Sequence, residues 1–478
     1  MMSLVIIITA VVLLLVVALT KINKKSDVPG PFPFPIIGNL HLLTQKMHKD
    51  LKELSKTYGD VFEIYFGSKR HIVVNGVDAI KEVLITNGLH FAGRPYNYKH
   101  KVMFKGCKNM FSSDYGPYWQ HLRKLFCRGL NLYSCDRTRT SRIIRSHSMN
   151  LMNQLSQRTN EACDISIDIK QSLINVLMSL VFNQDVNLND IFSRNILCFI
   201  TTLSKFNERG PEDAFEFLQS LPTNVRNAIR TRNRIWSMLI EEHHKTYKHG
   251  DIRDITDALL VANSEMKEDF MLDMDCFLMI VDDMFSFGLE ATANTLIWAI
   301  IFLAKWPDEQ KRLRHELVRV DKCTYEELKG LPYMQAVINE TQRLATVVPI
   351  AFHKATVNTK ISNFYIDKDT SILINFYGIT NDEKIFERPN EFCPDRWLTN
   401  INGFQDKLLT VLPFGAGPRA CPAQQLAMEI LMSFLYELVK HFRFEEVDGS
   451  PNSIEGDLGL TVTPRHMKIR LNSVNGVV

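Results

Sequence analysis

Apolar and polar positions divide the chain into successive regimes. Ser3–Thr20 is an unbroken uncharged run followed by Lys21, Lys24 and Lys25, and roughly 18–20 apolar residues cross a bilayer as a helix. A cleaved signal peptide would carry charge before its apolar core and a small-residue cleavage site after it. Here the charge follows the core, which keeps that side in the cytosol. Residues 1–25 are therefore expected to be a retained membrane anchor. "VPGPFPFPIIGN" (Val28–Asn39) sets four prolines within seven residues, so residues 26–39 read as a stiff spacer. Asp60–Gly76 alternates like a short hairpin. From about Val77 to Lys354 the helical period dominates. The longest candidate helix, Asp273 to Lys305, is apolar nearly all round, as expected of a helix buried in a large domain, and Trp306-Pro307 ends it. Thr324 and Glu327 match a capping box, and another helix starts at Pro332. Beyond Pro349 come short strands and irregular chain, up to "LPFGAGPRACPAQQLAMEI". There Pro422 suits a first helical position, and Leu426, Ile430, Leu431 and Phe434 give the apolar side. Cys421 is thus expected to be the N-cap of a last helix. No repeat, low-complexity linker or composition break follows Asn39, so residues 40–478 read as one large, mainly helical domain.

Composition narrows the functional classes. The chain has 478 residues, 45% hydrophobic and 23% charged, with a net charge of +3. That charge, without an Arg/Lys tract interleaved with aromatics, gives no case for nucleic acid. Nine cysteines are scattered, none in a CxxC pair, and their odd number argues against a disulfide framework. This agrees with a body facing a reducing compartment.

Cys421 is the residue around which chemistry can be built. A nucleophile would need a base, and no local feature supplies one. A zinc site would need further Cys or His at ligand spacing, and none is near. A buried structural thiol is the plain alternative. A single thiolate can also be the only protein ligand of a haem iron, where it favours O–O cleavage. Gly415 and Gly417 would let backbone approach a flat macrocycle, and a helix end would stabilise the sulfur's charge.

Phe414, Gly417, Arg419 and Cys421 match FxxGxRxC, and by that motif the chain resembles the cytochrome P450 monooxygenases. Ala423 stands where the family has its last glycine. "ETQR" resembles the ExxR pair, with Glu340 and Arg343 three apart on one helix face. "CPDRW" follows, and the resemblance makes Arg396 the third member of a buried cluster. It also places Trp119 and Arg123 of "WQHLR", Arg94 of "FAGRP", His353 of "FHKA" and Arg419 at the haem propionates, which need cationic and polar partners when buried. The implied fold is the mainly α (α+β) haem-thiolate fold, a single domain behind an N-terminal transmembrane helix. The implied cofactor is haem b, with Cys421 as axial ligand. The implied activity is NADPH- and O₂-dependent hydroxylation of a lipophilic small molecule: steroid, lipid or xenobiotic. Electrons would come from NADPH-cytochrome P450 reductase, with cytochrome b5 as a further partner, at a basic surface of Arg123, Lys124 and Arg128. The implied location is the endoplasmic reticulum membrane, single-pass, with the catalytic domain cytosolic. "LPFGAGPRAC", "FAGRP" and "HKATVNT" look most like the animal microsomal branch of steroid 17-/21-hydroxylases and xenobiotic hydroxylases. By the same resemblance the substrate cavity is lined from Tyr96–Tyr118, Phe285–Ala291, Val348–Phe352 and Leu460–Val462.

One segment departs from the pattern. "FSFGLEATANT" (Phe285–Thr295) matches the family's oxygen-binding (A/G)-G-x-(D/E)-T-(T/S) segment, but Phe287 replaces its first small residue and Ala291 its first threonine. Glu290 keeps the acid, and the hydroxyl moves on to Thr292, ~100° further round a helix. Glu290 and Thr292 are the candidate catalytic pair. An O₂-independent haem-thiolate isomerase or dehydratase, or a non-catalytic haem-binding protein, would also tolerate Ala291.

Overall fold

The computed structural model describes Thr9 and residues 27–474, apart from 135, 186–190, 207–220, 249, 267–271, 321–323, 399–409, 448–453 and 466–467. The expected anchor otherwise lies outside the described residues. The helices that position the site are α1 (Pro117–Ser134), α2 (Ser166–Phe182), α3 (Thr223–Thr246), α4 (Met274–Asp283), α5 (Leu289–Lys305), α6 (Pro332–Ala345) and α7 (Gln424–His441). α5 lies at the centre, packed against α2, α6 and α7. Leu296, Ile297, Trp298, Ile300, Ile301, Phe302 and Leu303 are all buried in the main core, which explains why its sequence is apolar on every face.

The expected hairpin is present. β1 (Val61–Phe66) pairs antiparallel with β2 (Lys69–Val74), Val61 opposite Val74. The sheet continues through distant segments: β4 (Ser371–Asn375) runs parallel to β2, and β3 (Ile350–Lys354) antiparallel to β4. This sheet delivers Ile350–His353 to the cavity described below.

The expected long helix is present, continuous over Met274–Lys305, but one turn within it is wide: α4 passes into a π turn, Met284–Gly288, before α5 begins. Such single-turn π segments are rare and concentrate at functional sites. The last helix starts at Gln424 with Ala423 as N-cap, so Cys421 is not the capping residue. The Cys421 N–H bonds the Phe414 carbonyl at 2.8 Å and so closes the preceding loop instead of opening the helix.

Candidate active site

Cys421 sits on the wall of a cavity of about 1460 Å³. Its loop is shaped by backbone contacts. Gly415 and Gly417 both have φ +66°, and a Cβ on Gly417 would collide with the Leu84 carbonyl oxygen. Glycine is required there because the loop rests directly on the segment around Leu84. Cys421 is open to the cavity yet enclosed elsewhere by protein. That burial pushes its thiol up, while the Ala423 N–H and the Arg123 charge pull it down.

Around the sulfur the structure gathers a set of cations. Trp119 and Arg123, one turn apart on α1, both line the cavity. The Trp119 Nε1–H donates to the Met110 carbonyl at 3.0 Å, and the Arg123 guanidinium to the Ala420 carbonyl at 2.7 Å. Arg419 lies over the Trp119 ring at 4.1 Å. It donates to the carbonyls of Ala92 (2.8 Å), Met110 (3.3 Å) and Ser113 (2.8 Å). Arg94 donates to the Phe111 carbonyl at 3.0 Å and to that of Phe352. His353 is buried, its Nδ1 on the Phe91 carbonyl at 2.8 Å. All five residues reach the cavity together with Phe414 and Cys421.

None of the three guanidinium groups has a carboxylate partner among the described residues. Burial and the neighbouring Arg94 and Arg123 bring Arg419 down to about 8, and burial brings Arg94 down to about 10. Burial, Arg94 and Arg419 hold His353 well below its ordinary value. Half-buried cations without a counter-charge call for an anionic ligand, and carboxylates beside a thiolate-held metal group meet that demand. The residues fit a haem and its two propionates.

The second cluster is closed. Glu340 Oε1 and Oε2 receive Arg343 Nη2 (2.8 Å) and Nε (2.9 Å). Arg396 Nε, the Cys393 N–H and Trp397 Nε1 complete the shell at 3.0, 2.9 and 2.9 Å. Glu340 and Arg343 are fully buried. Arg343 also donates to the carbonyls of Thr380 and Pro389.

The segment Phe285–Thr295 is arranged differently from expectation. Phe287, Gly288, Ala291, Thr292 and Thr295 line the cavity, but Phe285 and Glu290 do not. Phe285 is turned into the core against Trp236, ring centroids 4.5 Å apart. The Glu290 carboxylate is held behind α5 by Lys170 Nζ at 3.2 Å and Asn294 Nδ2 at 3.1 Å. Thr292 Oγ1 donates to the Gly288 carbonyl at 2.7 Å. The expected acid–alcohol pair therefore does not share one face: its members point to opposite sides of the helix. The basic surface is also smaller than expected. Arg123 is turned inward, and of the remaining two Arg128 is ion-paired with Glu265, which leaves exposed Lys124.

Sequence reasoning missed Asp283. It is buried on the cavity wall, accepting from Asn109 Nδ2 (2.6 Å) and the N–H groups of Met110 (2.7 Å) and Phe111 (3.3 Å). Beside it, Asp282 pairs with Arg232 and accepts from Trp236 Nε1 at 3.1 Å. The available signal was the acid doublet itself, since two carboxylates in an apolar helix need buried partners.

The family model of cytochrome P450 matches residues 28–471. The cytochrome P450 1A1 of Canis lupus familiaris is 29% identical over 476 residues, covering 93% of this chain and 90% of that protein. The steroid 17-alpha-hydroxylase/17,20 lyase of Rana dybowskii is 30% identical over 474 residues, covering 94% and 91%. A zebra fish cytochrome P450 structure with progesterone superposes with a TM-score of 0.81 at 27% identity, covering 89% of this chain and 99% of that one. The fold is thus shared along almost the whole length. The chain belongs to the cytochrome P450 family, the haem-thiolate monooxygenases.

Proposed function

We propose that the chain hydroxylates a lipophilic small molecule, a steroid, lipid or xenobiotic, with Cys421 as the only protein ligand of the haem iron. Arg94, Arg123, Arg419, Trp119 and His353 would hold the propionates, and Phe414 would pack beside the sulfur. The observation that carries this reading is the convergence on one cavity of a thiol and three half-buried guanidinium groups with no carboxylate partner among the described residues. Bound haem supplies the activation of O₂, which a thiolate ligand promotes. The protein's own part is to hold the thiolate, through the Ala423 N–H and the Arg123 charge, and to present an apolar wall to the substrate. Ala291 offers no hydroxyl, and the Thr292 proton is committed to the Gly288 carbonyl. Ordered water or a substrate hydroxyl would then complete proton delivery.

Electrons would come from NADPH-cytochrome P450 reductase, with cytochrome b5 as a second donor, near Lys124 and Arg128. Residues 1–25 would anchor the protein in the endoplasmic reticulum membrane, 26–39 act as spacer, and 40–478 form the cytosolic catalytic domain. Exposed Phe32, Phe34 and Ile36 give the spacer an apolar surface that suits a position near lipid. The test is spectroscopic. The reduced protein with carbon monoxide is expected to show the red-shifted Soret band of thiolate ligation, and Cys421→Ser to lose it. A histidine-type spectrum in the parent protein would refute the reading.

A further inference from the structure

Phe287 stands on the cavity face of the long helix, where the family pattern has a small residue. Its ring stacks on Phe111, centroids 4.0 Å apart and planes at 24°, and meets buried Phe104 at 5.8 Å. Phe111 is fixed at both ends of its backbone. Its N–H reaches Asp283 Oδ2 at 3.3 Å, and its carbonyl accepts Arg94 Nε at 3.0 Å. Asp283 lies one turn before Phe287 on the same helix, so the loop ring and the helix ring are referred to one frame. Phe287 and Phe111 are each only half-buried, and both line the cavity that holds Cys421. A ring backed by two other rings cannot swing aside without breaking that packing.

We propose that Phe287, with Phe111, forms the specificity-determining wall of this cavity. It accepts a ligand whose reacting end is thin and flat, an aromatic or unsaturated ring that extends the stack, and it rejects bulky saturated groups. Offset-stacked or tilted rings gain from their quadrupoles beyond the area they bury. A saturated cage has no flat face to offer and must displace Phe287. The inference rests on the haem-thiolate reading, because the probes report through the iron.

The test uses the ferric holoenzyme and no turnover. It is titrated with 1-phenylimidazole, which is flat, with 1-(1-adamantyl)imidazole, which is a cage, and with imidazole as control, following the Soret shift on nitrogen binding. The parent protein is expected to bind the phenyl compound more tightly than the adamantyl one. Phe287→Ala is expected to tighten the adamantyl compound by about tenfold or more. The same change should weaken the phenyl compound about two- to tenfold and leave imidazole unchanged. Phe287→Leu, which keeps bulk but loses the ring, should still exclude the cage while losing the phenyl preference. Should Phe287→Ala fail to hold haem, Phe111→Ala, outside the helix, is expected to move the two affinities in the same directions. An unaltered phenyl-to-adamantyl ratio in every haem-containing variant overturns the proposal alone. A parent protein without the thiolate carbon monoxide spectrum overturns it together with the reading beneath it.

Discussion

Two clusters of arginines lie in this molecule and obey opposite rules. Around Glu340 every charge is met: Arg343 and Arg396 share one carboxylate, and the remaining guanidinium protons reach backbone carbonyls. Around Cys421, the hydrogen bonds of Arg94, Arg123 and Arg419 go to carbonyls, with no carboxylate partner among the described residues. Burial presses Arg94 down, and burial with the Arg94 and Arg123 charges presses Arg419 down. The first cluster is complete as folded. The second would be completed by an anionic ligand. The difference separates a structural charge cluster from a ligand site more sharply than residue type does, since both are made of arginine.

The largest effect is expected from breaking the closed cluster. Glu340→Ala leaves Arg343 buried without its carboxylate, at a cost of about 3–5 kcal/mol, so the variant should lose stability and fail to incorporate haem. Normal stability and full haem content would mean that the cluster is not a structural element. In the open cluster the outcome should differ in kind. Arg419→Met removes an uncompensated charge, so the protein is expected to stay folded by circular dichroism while haem dissociates roughly 10–100-fold faster, the worth of one charge-assisted hydrogen bond. Parallel losses of fold and haem would erase the distinction between the clusters.

A third change sharpens the picture above the cavity. A positioned proton-transfer group contributes roughly 10²–10⁴-fold, and Ala291 supplies none. Ala291→Thr is expected to raise the ratio of product to NADPH consumed on poor substrates, with a native substrate that carries its own hydroxyl unchanged or slower. Overpacking typically costs ~1–3 kcal/mol, so thermal stability is measured beside coupling. Unchanged coupling on every substrate would reject the missing-relay reading.

The smallest effect concerns a carboxylate that belongs to neither cluster. Burial pushes Asp283 up to about 7 from an ordinary 3.8. Between those values the folded protein binds a proton that the unfolded chain releases, so this group's contribution to stability falls as pH rises through the window and levels off above it. Asp283→Asn is expected to flatten that slope when melts at pH ~5 and ~8 are compared. An identical slope in both proteins would show that the group does not titrate there.

Much of this was legible in the chain. The hairpin at Asp60–Gly76, the helix starting at Pro332 and the motif around Cys421 are local, and each follows from periodicity or the fixed spacing of a few residues. Glu340 and Arg343 meet because three residues along a helix bring side chains to one face. The start of the last helix was misjudged because Pro422 is as compatible with a turn as with a first helical position. The Cys421 N–H went to the Phe414 carbonyl, a contact that no periodicity encodes.

What the sequence alone determined is therefore the covalent spacing of the thiol loop, the apolar central helix and the family to which both belong. Only the tertiary structure decided which charges are answered. Glu290 faces Lys170 because α2 packs against α5 on that side. Phe287 meets Phe111 because the loop before α1 is tied to Asp283. The three cavity arginines are left without carboxylates by the convergence of the Arg94 segment, α1 and the cysteine loop. A helical period fixes which face a residue occupies within its own element. The counter-charge, or the lack of one, comes from whichever distant element the packed core places opposite.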